Sequence, residues 1–378
     1  MKRLLIIAGE HSGDLHGAGL VKAIRSRNAD ISCFGIGGPH MRAAGVETLV
    51  DAADMAVMGL TEVLKRYGFF RSVFHRMLRE AASRRPDAVI LIDYPGFNLR
   101  FAHRVHRLGI PVVYYICPQV WAWHRSRIQQ MARCITRLIT IFPFEREHFA
   151  NTGLDVRYVG HPLVDETAHA WDRPRAKLPV NGMPLLALLP GSREHEVRRH
   201  LALMCESACR LEASYPSLCV LVAAPNEATA QLVHESLAPL TTKPSRIDVV
   251  TGQTRDVLRQ AQSALVASGT ATIEASLMLC PMVVVYRVAA LTYWLGRLLV
   301  KVDNIGMVNI VAGRTICPEF IQDQAQAQPV ADALAPLLVE SDQRRDMIDR
   351  LQEVNHKLGP GGAADKAAIQ VLDVLGIR

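Results

Sequence analysis

The chain has 378 residues, more than a single hydrophobic core usually serves, so two domains of roughly 150–200 residues are expected. Residues of the hydrophobic class make up 49% and charged residues 21%, which excludes disordered, fibrous and low-complexity classes. A formal charge of +7 suits an anionic partner, but no Gly-aromatic RNA-binding signature or Cys/His finger accompanies it, so nucleic acid is not expected.

Short β-branched runs alternate with amphipathic stretches along most of the chain, the pattern of βα units in a doubly wound parallel sheet. In the first half the runs fall at 4–8, 32–36, 88–92, 112–116 and 138–141, and in the second at 185–189, 219–223, 248–250, 264–266 and 282–285. The fold class is therefore α/β with two sheets. The expected domains are 1–170 and 171–350, with a C-terminal helical piece at 351–378. The stretch 171–184, broken by Pro174, Pro179, Asn181 and Gly182, reads as the linker.

The first βα junction, from Ala8 through Glu10, Ser12 and Asp14 to Gly19, is glycine-rich but has neither the Gly-x-Gly-x-x-Gly spacing of a dinucleotide fingerprint nor the Lys-Ser/Thr ending of a P-loop. It reads either as a loop that lets a ligand approach the backbone at the C-terminal edge of the sheet, or as a turn with a Ser or Asp helix cap. The segment 60–79 follows, with Val63, Leu64, Phe69, Phe70 and Phe74 among its apolar positions and Lys65, Arg66, Arg71, Arg76 and Arg79 interleaved. That mixture describes a helix lying on an anionic membrane surface, or an amphipathic helix packed on the sheet with a solvated basic face.

Asp93 comes next, at the C-terminal tip of the apolar run 88–92 and ahead of the Pro95-Gly96 turn. A carboxylate there is a candidate general base for a substrate hydroxyl, or else a turn-stabilising aspartate. Trp121 and Trp123, beside His124, Arg125 and Arg127, line a sugar or acyl pocket or belong to the core.

In the second half, 185–189 is a buried strand, Pro190-Gly191-Ser192 a turn, and Arg193 opens a helix. Free N–H groups at a helix start attract an anion, and Arg193 adds a bidentate contact, so Ser192 and Arg193 are candidates for a diphosphate, with Arg198, Arg199 and His200 adding positive field. Ser268, Gly269 and Thr270 repeat that grammar, and Glu274 lies one helical turn beyond Thr270, where a carboxylate suits ribose hydroxyls. The alternative is a helix capped by Thr270 or Thr272, with Glu274 an ordinary surface residue.

The eight cysteines form no Cys-x-x-Cys pair and none has zinc-finger spacing, so they read as reduced thiols of a cytoplasmic protein. His16, His40, His161 and His195 are not spaced as metal ligands, and no bound metal or other cofactor is expected. The apolar run after Lys2-Arg3 is too short for a signal peptide, and none is long enough to span a bilayer.

Ordered matches run over nearly the whole chain: Ala8-Gly9-Glu10 with Ser12-Gly13-Asp14, Val57-Met58-Gly59, Ile92-Asp93 with Pro95, Phe97 and Asn98, Pro118 with Val120-Trp121-Ala122-Trp123, Pro143-Phe144-Glu145, Gly160-His161, Leu189-Pro190-Gly191-Ser192-Arg193, Ala267-Ser268-Gly269-Thr270-Ala271, and Asn309 with Ala312-Gly313-Arg314. With these the sequence resembles the lipid-A-disaccharide synthase family. The resemblance implies a GT-B fold of two Rossmann-like domains facing across a cleft, with a C-terminal helix crossing back to the first. It implies transfer of sugar from UDP-2,3-diacylglucosamine to the 6-hydroxyl of 2,3-diacylglucosamine 1-phosphate, with inversion, giving a β-1,6 disaccharide and UDP. It places the family's essential aspartate on Asp93 and essential arginine on Arg193, its UDP-site glutamate and asparagine on Glu274 and Asn309, and the acidic residue of the first loop on Glu10. Both substrates carry acyl chains, so the resemblance also implies peripheral association with the inner face of the inner membrane, while a homo-oligomer stays open. Two positions depart from the pattern. Gly96 stands where some members carry a second acidic residue, and Tyr94 replaces a small one, which narrows the expected acceptor pocket.

Overall fold

The structure is a computed structural model and describes residues 2–55, 66–121, 126–180, 183–288 and 304–377. The chain divides into two compact units, Met1–Pro162 with Pro360–Arg378, and Leu163–Gly359.

In the first unit seven parallel strands form one sheet: β1 (Lys2–Ala8), β2 (Ile31–Gly37), β3 (Glu47–Asp51), β4 (Ala88–Ile92), β5 (Val112–Tyr115), β6 (Arg137–Thr140) and β7 (Asp155–Tyr158). Their order is β3-β2-β1-β4-β5-β6-β7, so the chain reverses direction across the sheet between β1 and β4. That switch point is where open α/β sheets leave a crevice at their strand ends. Both interior strands there are apolar where they are packed, with every residue of β4 and residues 4–8 of β1 buried, as helices on both faces require.

The unit is closed by the last helix of the chain, Ala363–Val374, which packs on the helix His11–Arg27. Arg137 at the start of β6 holds that helix, donating to the Gln370 carbonyl at 2.9 Å and pairing with Asp373 at 2.7 Å and Asp155 at 2.7 Å. The preceding helix, Asp342–Lys357, stays with the second unit, so the returning segment begins at Pro360 rather than at 351.

The second unit is a six-stranded parallel sheet of β8 (Leu185–Leu189), β9 (Cys219–Ala224), β10 (Ile247–Thr251), β11 (Ser263–Ala267), β12 (Met282–Tyr286) and β13 (Glu319–Ile321). The order β10-β9-β8-β11-β12-β13 again places a switch point, between β8 and β11. The Pro-rich stretch read as a linker is tied to this unit. Arg259 donates to the carbonyls of Ala170 and Arg173, its guanidinium lies over the Trp171 ring at 5.2 Å, and Gln260 donates to the Ala176 carbonyl at 3.0 Å.

Within the 60–79 segment, positions 60–65, including Val63 and Leu64, lie outside the described residues. The helix Tyr67–Arg84 buries Val73, Met77 and Ala81. Phe69, Phe70 and Phe74 are half-buried against the same core, and Phe74 meets Phe97 and Phe101 edge-on at 5.4 and 5.8 Å. Phe74 thus faces the helix Pro95–His106 and the core, on the side of its own helix that also buries Met77. Phe74→Ser is expected to cost about 2–3 kcal/mol in stability, read as a fall in melting temperature, and an unchanged melting curve would return Phe74 to the surface. Phe69 and Phe70 differ, since the Arg66 guanidinium covers their rings at 4.8 and 5.9 Å.

Candidate active site

At the first switch point the chain leaves β4 on two consecutive left-handed residues, Asp93 (φ 43°) and Tyr94 (φ 49°), and enters the helix Pro95–His106 with proline in its first turn. Non-glycine residues adopt this backbone only where surrounding contacts hold it. Here the Asp93 carbonyl accepts from the Tyr114 hydroxyl and from Asn98 Nδ2 (2.8 Å), and the Asp93 N–H donates to the Tyr115 carbonyl at 3.1 Å. Asn98 is fully buried and donates also to the Ile92 carbonyl at 3.1 Å. Strand β5 and the helix that follows therefore clamp the Asp93 main chain, and none of these bonds uses its carboxylate.

Burial, then the negative charge of Glu10, pushes the Asp93 carboxyl up to about 6, while the Tyr94 N–H opposes that shift. A carboxylate so placed is ionised at neutral pH yet more basic than an ordinary aspartate, which suits proton removal from a hydroxyl. Glu10 itself is exposed and stands at the N-cap of the helix His11–Arg27. Asp14, the other acid of that loop, is buried and accepts from the N–H groups of Gly38 (2.6 Å), Met41 (2.9 Å) and His40 (3.0 Å). It caps the neighbouring helix Pro39–Ala43, which explains the aspartate without a ligand.

Tyr94 donates its hydroxyl to the Met55 carbonyl at 2.9 Å, and its ring lies across Gly9, where a Cβ would sit 2.5 Å from Tyr94 Cδ1. Gly9 is needed for this close approach rather than for its φ. A side chain at Gly96 would meet nothing within 4 Å, so the missing second acid leaves open space.

Sequence reasoning did not single out the chemistry of Glu145, which is buried on the same sheet edge beyond β6. It accepts from the N–H groups of Phe142 (3.1 Å) and Ile141 (3.3 Å), yet burial outweighs these donors and pushes its carboxyl up to about 8. Trp121 is 3% exposed and packs edge-on against Phe144 at 4.9 Å, so this tryptophan belongs to the core, while Trp123 lies outside the described residues. Burial drives His161 down to about 3 and His16 to about 4, so both imidazoles are neutral.

In the second unit the loop after β8 turns on Gly191 (φ 114°) and starts the helix Glu194–Glu212 at Arg193. The N–H groups of Ser192 and Arg193 point to one place and donate there to Glu196 Oε2, at 3.1 and 3.3 Å. Arg193 is half-exposed and pairs with Glu196 Oε1 at 3.3 Å. The surrounding field is less positive than the sequence suggests, because Arg198 pairs with Glu194 at 2.9 Å. His200 adds no field either. It is 0% exposed, with Nδ1 facing the Pro190 carbonyl at 3.3 Å and Nε2 accepting from the Arg287 N–H at 2.9 Å, and burial holds it below the usual imidazole range. Neutral His200 thereby ties the loop after β8 to the end of β12.

The second loop follows β11, where Gly269 takes φ 133° before the helix Thr270–Leu277. Ser268 is engaged, its N–H donating to the Val285 carbonyl at 3.2 Å and its hydroxyl to the Ile305 carbonyl at 2.8 Å. Thr270 is exposed at the helix start. Glu274 is half-buried and held through Oε1 by Arg255 Nε at 2.9 Å, and Arg255 is in turn fixed by the carboxylate and carbonyl of Glu166, both at 2.8 Å. Nothing in sequence spacing points to Arg255, which is 19 residues from Glu274.

Asn309 has a different part from a ligand. Its amide donates to the Cys317 carbonyl (2.8 Å) and Glu319 (2.7 Å) and accepts from the N–H groups of Ile316 (2.8 Å) and Cys317 (2.9 Å). Both donors and two acceptor positions are used inside the fold, so Asn309 shapes the wall after β12 rather than presenting its amide.

A family model described as lipid-A-disaccharide synthetase matches residues 4–371. Lipid-A-disaccharide synthase of Myxococcus xanthus is 42% identical over 99% of this chain and 97% of its own length, and that of Syntrophus aciditrophicus 41% over 99% and 98%. Among solved structures, the UDP-GlcNAc 2-epimerase of Neisseria meningitidis bound to UDP-GlcNAc superposes with a TM-score of 0.66 at 11% identity, covering 99% of this chain and 100% of that one. A calicheamicin glycosyltransferase gives 0.60 at 16% identity, covering 100% and 98%. Two parallel-sheet α/β units of this kind constitute the GT-B fold.

Proposed function

The chain belongs to the lipid-A-disaccharide synthetase family and is a glycosyltransferase, and we propose that it joins UDP-2,3-diacylglucosamine to 2,3-diacylglucosamine 1-phosphate. Asp93 removes the proton from the acceptor 6-hydroxyl, whose oxygen attacks the anomeric carbon as the bond to the UDP oxygen breaks. The electron pair leaves on the diphosphate, and attack from the opposite face inverts the centre to give the β-1,6 disaccharide 1-phosphate.

The observation that carries this reading is the Asp93 carboxyl, raised to about 6 on a clamped left-handed turn. It matches the need for a base that is ionised yet basic. Charge on departing UDP is met by Arg193, the N–H groups of Ser192 and Arg193, and the helix start at Gly269 and Thr270. Glu274, aimed by Arg255, is assigned to the ribose hydroxyls, with Ser268 and Asn309 holding the surrounding backbone. Glu10 supports Asp93 through its charge.

Acylated substrates bring the enzyme to the inner face of the inner membrane, with 60–79 as the contact. Phe69 and Phe70 under Arg66 suit that role, Val63 and Leu64 extend it in sequence, and Phe74 is withdrawn to the core. No helix among the described residues is long and apolar enough to cross a membrane.

The test is incubation of the purified full chain with both acylated substrates and EDTA. The expected result is UDP release matched by disaccharide 1-phosphate, with no product from UDP-N-acetylglucosamine and an unacylated acceptor. Transfer that ignores acylation, or epimerisation of the donor, would overturn the substrate assignment.

A further inference from the structure

The loop assigned to the diphosphate already has an occupant. Glu196 accepts from two consecutive main-chain N–H groups, Ser192 at 3.1 Å and Arg193 at 3.3 Å, and from the Arg193 guanidinium at 3.3 Å. Those are the donors that a phosphate would use at a helix start. The loop is shaped around the carboxylate, since a Cβ on Gly191 would lie 2.5 Å from Glu196 Oε2 and 2.6 Å from its Cβ. Tyr286, at the end of β12, feels the charges of Glu196, Arg193 and Arg199 together, which puts all of them at one strand end.

We propose that Glu196 is a resident competitor for the diphosphate: its carboxylate fills the anion loop between turnovers and is displaced when the nucleotide binds. This rests on the diphosphate reading of the Arg193 loop. Two anions cannot share the same three donors without repulsion, so an incoming diphosphate must turn the Glu196 side chain away, and the displacement lowers net affinity for UDP. The same carboxylate returns as UDP leaves, which keeps the loop ordered while empty and favours product release. Glu196 is thereby a specificity-determining residue, because it penalises weak anions that bring fewer contacts than a diphosphate does.

An ordinary helix cap would have the opposite signature, since losing it would loosen the loop and weaken the nucleotide. Glu196→Gln keeps an acceptor oxygen and removes the charge. Calorimetry of the full chain is expected to give UDP affinity about tenfold tighter in this variant, with uridine affinity unchanged. Glu196→Ala removes the same charge but also gives up the cap, so a smaller gain in UDP affinity is expected from it, and a gain in either variant is one that loss of a helix cap alone cannot produce. UDP affinity at or below wild type in both variants, or an equal gain for uridine, overturns the proposal. Arg193→Ala separates the two layers: if it weakens UDP while Glu196→Gln does not tighten it, only the competitor role fails. If Arg193→Ala binds UDP normally, the loop itself is misassigned and the competitor role goes with it.

Discussion

Asp93→Asn is expected to lower kcat by about a thousandfold while UDP affinity stays within about twofold. The amide keeps the shape of the side chain and can still accept from the Tyr94 N–H. The contacts that hold the turn, from the Tyr114 hydroxyl and Asn98, are made to the Asp93 carbonyl and do not depend on the carboxylate. What is lost is the ability to take a proton. The pH dependence follows from the same shift. With the carboxyl raised to about 6 by burial and by Glu10, the base is protonated and inactive below that pH, so kcat/KM should fall on the acid side by about tenfold per pH unit. Removing the Glu10 charge should move this limb to lower pH, since the neighbouring charge is the second cause of the shift. Near-normal turnover in Asp93→Asn would remove Asp93 as the base.

Arg193→Ala is expected to weaken UDP binding by about 100-fold and to lower kcat as well. The guanidinium is half-exposed and pairs with Glu196 at 3.3 Å, a long contact easily exchanged for a diphosphate oxygen. The leaving group gains charge as the glycosidic bond breaks, so an arginine there contributes more in the transition state than in the ground state. Arg193→Lys should recover only part of the loss, because an ammonium cannot make the forked contact. Titration of UDP into the variant measures the first effect and single-turnover kinetics the second. Unchanged UDP affinity would exclude the diphosphate role.

The interior of both sheets was legible in the sequence because its strands are buried on both faces. Runs such as Ala88–Ile92 and Leu185–Leu189 carry no polar residue at all. The three strands the pattern does not reveal, Glu47–Asp51, Asp155–Tyr158 and Glu319–Ile321, all lie at sheet edges. Charged residues are tolerated there, and the apolar signal is diluted. The site divides in the same way. Asp93 and the Arg193 loop are visible because strand, turn and helix start are contiguous in the chain. The clamp on Asp93, the neutral splint of His200 and the Glu166–Arg255–Glu274 chain join residues far apart in sequence, and only the fold brings them together. Asn309 is legible as a position but not in its bonding, since a buried amide satisfied within the fold looks the same in sequence as one presented to a ligand.

The contact between Gly9 and Tyr94 couples two positions that are distant in the chain, so a substitution at one depends on the residue at the other. The ring occupies the volume that a methyl group at position 9 would need, with Cδ1 only 2.5 Å from where that carbon would sit. Any side chain at position 9 therefore needs the Tyr94 ring to leave its place, and with it the bond that anchors the ring on Met55. A substitution at position 9 is thus tolerated only after the ring at 94 has shrunk, so the order of the two changes decides whether the chain passes through a clash.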